Sequence, residues 1–206
     1  MMHYNDLIKQ KIATMPYGRA FVVSDFTDIS DYATAKRSLA RLCDSGYIRR
    51  VLRGVYDKPE YSELLKEVAA PDPNEIAMAI ARNFNWTIVP SGNAALNMLG
   101  LSTQVPAKWE YCSSGPYREY EFDKITLEFK HRSNKEIEGL SYESALLIQA
   151  IKALGKDHIT EEIVERLRKR TAHLDTEAML KEARYTTSWV FSVIKHVFGK
   201  DDIQYV

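Results

Sequence analysis

Over residues 4–15, Leu7, Ile8, Ile12 and Met15 recur at helical spacing, and Pro16-Tyr17-Gly18 then breaks the pattern, so the chain is predicted to open with a helix. Residues 19–23 form a short apolar run suited to a small strand, and residues 24–28 read as one or two helical turns capped by Ser24. A stronger amphipathic helix follows. Ser30 or Asp31 can cap it, Ala35, Leu39, Leu42 and Cys43 form one apolar stripe, and Gly46 stands where a left-handed C-cap is wanted. Residues 47–56 alternate as a two-stranded ribbon turning at Arg53-Gly54. Phe21, Phe26, Ile29, Leu39, Leu42, Ile48 and Val55 are the expected core, with Tyr32 and Tyr56 at its edge or reaching a phosphate.

This order of helix, strand, short helix, amphipathic helix, glycine and ribbon is that of a winged helix-turn-helix occupying residues 1–59. A short helix over residues 62–68 is expected to link it onward within residues 60–72, stopped by Pro71 and Pro73. Residues 73–206 are expected to form a mixed α+β domain ending in a helical segment. A helix over 75–83 buries Ile76, Ala79 and Ile80, residues 86–89 are strand-forming, and a helix over 91–99 stops at Gly100. Residues 108–112, 117–122 and 125–131 are three strand candidates. From Ser141 onward the pattern is helical over 141–154, 160–172 and 176–198, the last with a break near 185–187. The fold class predicted is therefore α+β.

Charge changes this picture locally. The 206 residues balance 28 Lys and Arg against 28 Asp and Glu, yet between Lys36 and Arg53 six cations face Asp44 alone. Thr34, Lys36, Arg37, Ser38 and Arg41 are predicted on the outward face of the amphipathic helix, and Arg49, Arg50 and Arg53 on the ribbon. Phosphate neutralisation needs clustered cations, and base reading needs a helix that enters the major groove, so double-stranded DNA is the expected partner. Residues 1–59 carry ten Lys and Arg against six Asp and Glu, leaving an acidic remainder suited to meeting a protein.

Other chemistry has weaker support. Ser91-Gly92-Asn93 sits at a strand-to-helix junction where backbone N–H groups could hold an anion, although Ser91 as a helix cap explains it too; Asn93 and Asn97 share a helical face that could meet a ligand or partner. Glu128-Phe129-Lys130 has the E-x-K spacing of metal-dependent nucleases, with Asp123, Glu119 and Glu121 nearby, but Asp123 falls in a turn rather than on a preceding strand. A solvated outer strand face accounts for Glu128 and Lys130, and a solvated helix face for the basic run at 166–170. Cys43 and Cys112 read as reduced and structural, and the five histidines lack ligand spacing, so neither metal nor cofactor is expected. No apolar run has spanning length and the first residues are polar, which points to a cytoplasmic protein without a membrane partner.

Arg53-Gly-Val-Tyr56 closing the ribbon, followed by Ile88-Val-Pro-Ser-Gly-Asn-Ala-Ala-Leu-Asn-Met-Leu-Gly-Leu-Ser-Thr-Gln-Val-Pro106, resembles the DUF6088 proteins, relatives of AbiEi-type antitoxins of type IV toxin-antitoxin systems. The resemblance covers nearly the whole chain, and residues 90–106 are its most specific part. It implies a DNA-binding protein that autorepresses its operon and counteracts a nucleotidyltransferase-type toxin. It supplies no catalytic residue, and a non-enzymatic regulator is expected, with two copies on each operator. The competing reading is a nucleic-acid-processing enzyme whose nuclease-like second domain is targeted by the first.

Overall fold

The structure is a computed structural model and describes residues 3–64, 66–132 and 139–200. The chain divides into two units, Met1–Trp86 and Thr87–Val206. It is α+β, with small sheets and helices in both.

In the first unit, α1 (Tyr4–Thr14) buries Ile8 and Ile12, and β1 (Ala20–Val22) leads into a 3-10 turn at Val23–Phe26. The turn is tighter than the α-helical segment expected at 24–28, and Ser24 lies inside it. Asp25 starts it instead, accepting a hydrogen bond from the Val22 N–H at 2.9 Å. Next come α2 (Tyr32–Asp44), β2 (Arg49–Leu52) and β3 (Val55–Asp57), with β3 central in an antiparallel sheet of order β1-β3-β2. Ile8, Ile12, Phe21, Phe26, Leu39, Leu42, Ile48 and Tyr56 form the core, with Phe21 and Tyr56 stacked and Ile29 partly buried beside them. Tyr56 is thus a core residue.

The expected helix over 62–68 does not form. Tyr61–Ser62 (β4) and Glu67–Val68 (β5) pair as a short antiparallel ribbon, with Lys66 left-handed at φ 56°. Seven residues cannot repay helix nucleation without a buried face, and Leu64 here is almost fully exposed.

The helix α3 (Pro73–Phe84), capped by Asp72, belongs to the first unit rather than the second, which moves the boundary from 72/73 to 86/87. The reason is the open edge of β1. Glu75 accepts from the Ala20 N–H at 3.3 Å, and Arg82 donates to the Ala20 carbonyl at 2.9 Å and to Asp25 at 3.1 Å. Ile76, Ala77, Ala79 and Ile80 are buried on the same helix. Two side chains therefore satisfy backbone groups that a fourth strand would otherwise take.

The second unit is built on a four-stranded sheet of order β6-β7-β9-β8, from Ile88–Ser91, Lys108–Ser113, Ile125–His131 and Arg118–Phe122 respectively. The β7–β9 pair is parallel and the outer pairs are antiparallel. A short helix, α4 (Gly92–Met98), and a longer one, α5 (Tyr142–Leu154), cover the sheet face that carries Val89 and Cys112. On the opposite face Trp109, Tyr111, Leu127 and Phe129 are all buried. Every residue of α5 from Ser144 to Ile151 is buried, because its second side packs against α6 (Glu161–Thr171), α7 (Thr176–Ala183) and α8 (Ser188–Val197). The break expected in the last helical stretch lies between α7 and α8.

Candidate functional site

The basic face of the first unit starts from the cap of α2. Asp31 accepts from the Thr34 N–H at 3.0 Å, and bonds from the Thr34 side chain and N–H hold its carboxyl below the ordinary range, keeping it ionised. With the start fixed, Ala35, Ser38, Leu39 and Leu42 turn inward. Ala33, Lys36, Arg37, Ala40 and Arg41 turn outward at i, i+3, i+4, i+7 and i+8, and the two alanines keep that face low between the cations. Ser38, expected outward, is buried at 4% exposure, because it falls on the apolar stripe beside Leu39 and Leu42. Thr34 is half-buried and receives a bond from Arg37 Nη2 at 3.2 Å.

In the ribbon, Gly54 at φ +82° allows a two-residue loop, leaving Arg53 exposed at its tip. Arg50 is also exposed. Burial pushes the Tyr56 phenol up, Arg50 pulls it back, and Tyr32 acts on the same group, so the first turn of α2 and the ribbon flank one hydroxyl. Among the described residues the side chains of Lys36, Arg41, Arg50 and Arg53 make no hydrogen bond or ion pair.

Arg49 is different. Its guanidinium grips Asp57, which is fully buried, and donates to the Ala69 carbonyl at 2.9 Å. A side chain bound on both flanks is a brace, so the expectation of a nucleic-acid contact at Arg49 is withdrawn. Arg49→Ala is expected to cost about 2 kcal/mol in urea unfolding, as it strands a buried carboxylate. An unchanged midpoint would show that water serves Asp57 equally well. Lys58 is a second internal cation, donating to the Ala13 and Met15 carbonyls and so closing the end of α1.

In the second unit the strand registers Glu110↔Glu128 and Glu119↔Glu128 gather a charge cluster. Lys130 Nζ donates to Glu110 at 2.5 Å and lies 3.1 Å from Glu128, which is also met by Lys108 at 3.1 Å and Tyr117 Oη at 3.0 Å. Burial would raise the Glu128 carboxyl, but the bonds from Lys108, Lys130 and Tyr117 outweigh it and bring it down to about 2. The Tyr117 phenol, donating to Glu128 and Glu119, is pushed up to about 12, and the Glu110 bond raises Lys130. Glu128 is only 5% exposed, which corrects the expected solvated face. The half-solvated pattern belongs to antiparallel sheets, whereas β9 is central, pairs in parallel with β7, and is buried on both faces at Leu127, Glu128 and Phe129, with Lys130 half-buried beyond them.

At the 91–93 junction the Ser91 side chain makes no capping bond, contrary to the capping role expected of it. Gly92, at φ +55°, lies against the Glu110 carboxylate so closely that a Cβ would stand 2.5 Å from Oε2. Asn93 is exposed, while Asn97 is spent internally, donating to the Gln104 carbonyl at 3.0 Å. In the basic run at 166–170, Arg168, Lys169 and Arg170 are exposed, as a solvated face requires, and three of its arginines also reach backbone. Arg166 donates to the Gly100 carbonyl at 2.5 Å, Arg168 to the carbonyls of Val197 and His196, and Arg170 packs over Gly100. Neither Cys43 nor Cys112 is in a disulfide, and no group of three or more His, Cys, Asp or Glu side chains among the described residues is placed to hold a metal ion.

The family model of DUF6088, a family of unknown function, matches residues 7–179. The chain belongs to DUF6088. The match begins within α1 and ends within α7, so both units of this DUF6088 chain fall inside it. Among solved structures, the crystal structure of the RV2827C protein from Mycobacterium tuberculosis is similar at 13% identity over 95% of this chain and 76% of that one, with a TM-score of 0.40. No curated protein matches the chain. No helix among the described residues of this DUF6088 protein is long and apolar enough to cross a membrane.

The pattern alone missed Lys108 and Glu110. Their signal was present, since Lys108-Trp-Glu-Tyr111 and Thr126-Leu-Glu-Phe129 alternate polar with aromatic or aliphatic residues in the same phase, as strands paired in register would.

Proposed function

We propose that the first unit is a winged helix-turn-helix that binds double-stranded DNA, with α2 as the recognition helix and the β2–β3 ribbon as the wing. The observation that carries this is the set of outward cations, Lys36, Arg37, Arg41, Arg50 and Arg53, of which only Arg37 has an internal partner. Cations elsewhere on the same unit, such as Arg49, Lys58 and Arg82, are bound by the fold. Selective sparing of one face is what phosphate neutralisation and base reading require. Arginines on the groove face can pair bidentately with guanine, and those at the wing tip reach backbone or minor groove.

By its resemblance to AbiEi-type antitoxins, this cytoplasmic protein represses its own operon and counteracts a nucleotidyltransferase-type toxin, with the second unit facing that partner. A single module of this kind buries about 600 to 1,000 Å² on DNA, so two copies act on one operator. The protein works by binding and not by catalysis. The alternative nuclease reading of Glu128 and Lys130 needs carboxylates open to a metal ion, and here the ammonium groups of Lys108 and Lys130 lie on them instead.

Mobility-shift titration on the DNA upstream of its own gene tests the reading. Affinity should fall steeply with salt, and Arg37→Ala and Arg53→Ala should each cost about 1 to 3 kcal/mol of binding. Arg49→Ala, measured on the folded fraction, should leave the salt slope unchanged. Absence of binding to this DNA and to any enriched genomic fragment would remove the proposal.

A further inference from the structure

The second unit has a cleft of about 460 Å³ between the start of α4, the β7–β9 pair and the last turns of α5. We infer that it binds the phosphate group of a small molecule of nucleotide size. Three cationic side chains from separate places line it, Lys130 on β9, Arg132 just beyond that strand and Lys152 on α5, with Glu110 as the carboxylate in the lining and Glu128 behind Lys130 at 3.1 Å. The Glu110 carboxylate is already engaged, since it receives Lys130 at 2.5 Å and packs on Gly92. With Lys130 held by these two carboxylates, an arriving anion meets the cationic side chains of Arg132 and Lys152 at the cleft wall. The only bond of the exposed Arg132 guanidinium among the described residues is a long one, 3.4 Å, to the neighbouring His131 carbonyl.

The independent observation is Gln149. It lines the same cleft from α5, is only 6% exposed, and its Nε2 has no hydrogen-bond acceptor. Buried amide donors are almost always paired, so one left without an acceptor in the wall of a cationic cleft calls for an oxygen from outside the chain. Phosphate fits these demands, because its several oxygens can accept from guanidinium, ammonium and amide groups together. A divalent cation is repelled by the same wall, and an apolar ligand would leave the cleft's polar groups dry. The volume is in the range of small-molecule sites, about 300 to 1,000 Å³, which admits a nucleoside monophosphate as well as the free anion.

Calorimetric titration of the full chain with inorganic phosphate and with AMP, at constant ionic strength and without DNA, tests the inference. Saturable binding with a dissociation constant of about 1 mM or tighter is expected for at least one of them. Equal affinities would make it a site for the free anion and tighter AMP binding a nucleotide site, and both support the inference. Arg132→Ala and Lys152→Ala should each weaken binding by about tenfold, and Gln149→Met should weaken it without lowering the melting temperature. Arg132 is exposed, so its variant folds and keeps the test decisive. No saturation by either probe up to about 20 mM, or affinity unchanged in Arg132→Ala, would overturn the inference. Neither result bears on the DNA-binding reading, which concerns the other unit.

Discussion

A chain ended at Val68 is expected to lose cooperative folding, whereas one ended at Trp86 is expected to melt as a single unit. The difference between them is α3. Ile76 and Ile80 are buried on it, each worth about 1.5 to 3 kcal/mol, and Ala77, Ala79 and Ala81 add to that. Without α3, the Ala20 N–H loses Glu75, its carbonyl loses Arg82, and Asp25 loses its cationic neighbour. A unit of this size has about 5 to 10 kcal/mol of stability in all, so these losses together consume it. Circular dichroism melts of the two chains provide the measurement. A cooperative transition in the shorter chain within a few degrees of the longer one would show that α3 is dispensable, and that the boundary near Pro59 is the better one.

Glu128→Gln is expected to remove about 3 kcal/mol of stability from the second unit at pH 7 and to flatten its acid limb. The folded carboxyl titrates near about 2 against an ordinary 4.5, and a difference of that size corresponds to about 3 kcal/mol. Because the folded value is depressed, that stabilisation is complete above about pH 5 and is lost as the pH falls towards 2. Glu182 is also held low: burial raises it, and bonds from Ser144 and Ser141 outweigh that, so part of the acid sensitivity persists in the variant. Urea unfolding at several pH values between 7 and 3 reads both effects. Equal stability of the variant and the parent at pH 7 would mean that Lys108, Lys130 and Tyr117 gain nothing from the charge on Glu128.

The elements of the first unit were legible because its signals are local. Asp31 as cap, the stripe through Ala35, Leu39 and Leu42, Gly46 as stop and Gly54 at the turn all act within a few residues of one another. Cations could be counted in the sequence but not sorted. Arg49 and Arg50 are neighbours of the same type, and only the pairing of Arg49 with Asp57 across β2 and β3 separates brace from exposed side chain. Ser38 was misplaced because a small polar residue on an apolar stripe gives no hydrophobic signal of its own. The placement of α3 depends on Glu75 meeting residue 20 and Arg82 meeting residue 25, separations that no window of periodicity spans. The cleft was invisible for the same reason, since Lys130, Gln149 and Lys152 come from a strand and a helix joined through residues 132–141.

The dependence of β1 on a helix more than fifty residues downstream also orders events during synthesis. Helices α1 and α2 can form as soon as they emerge, but the sheet cannot close until β3 appears, and its edge stays open until Arg82 has followed. At about 5 to 20 residues per second, the stretch from β3 to Trp86 takes roughly a few seconds to translate. Through that interval the nascent chain presents an unpaired strand edge that a second nascent copy could join. Slower translation across residues 58–86 would lengthen that exposure, so codon speed in this stretch bears on how much of the protein reaches its native fold.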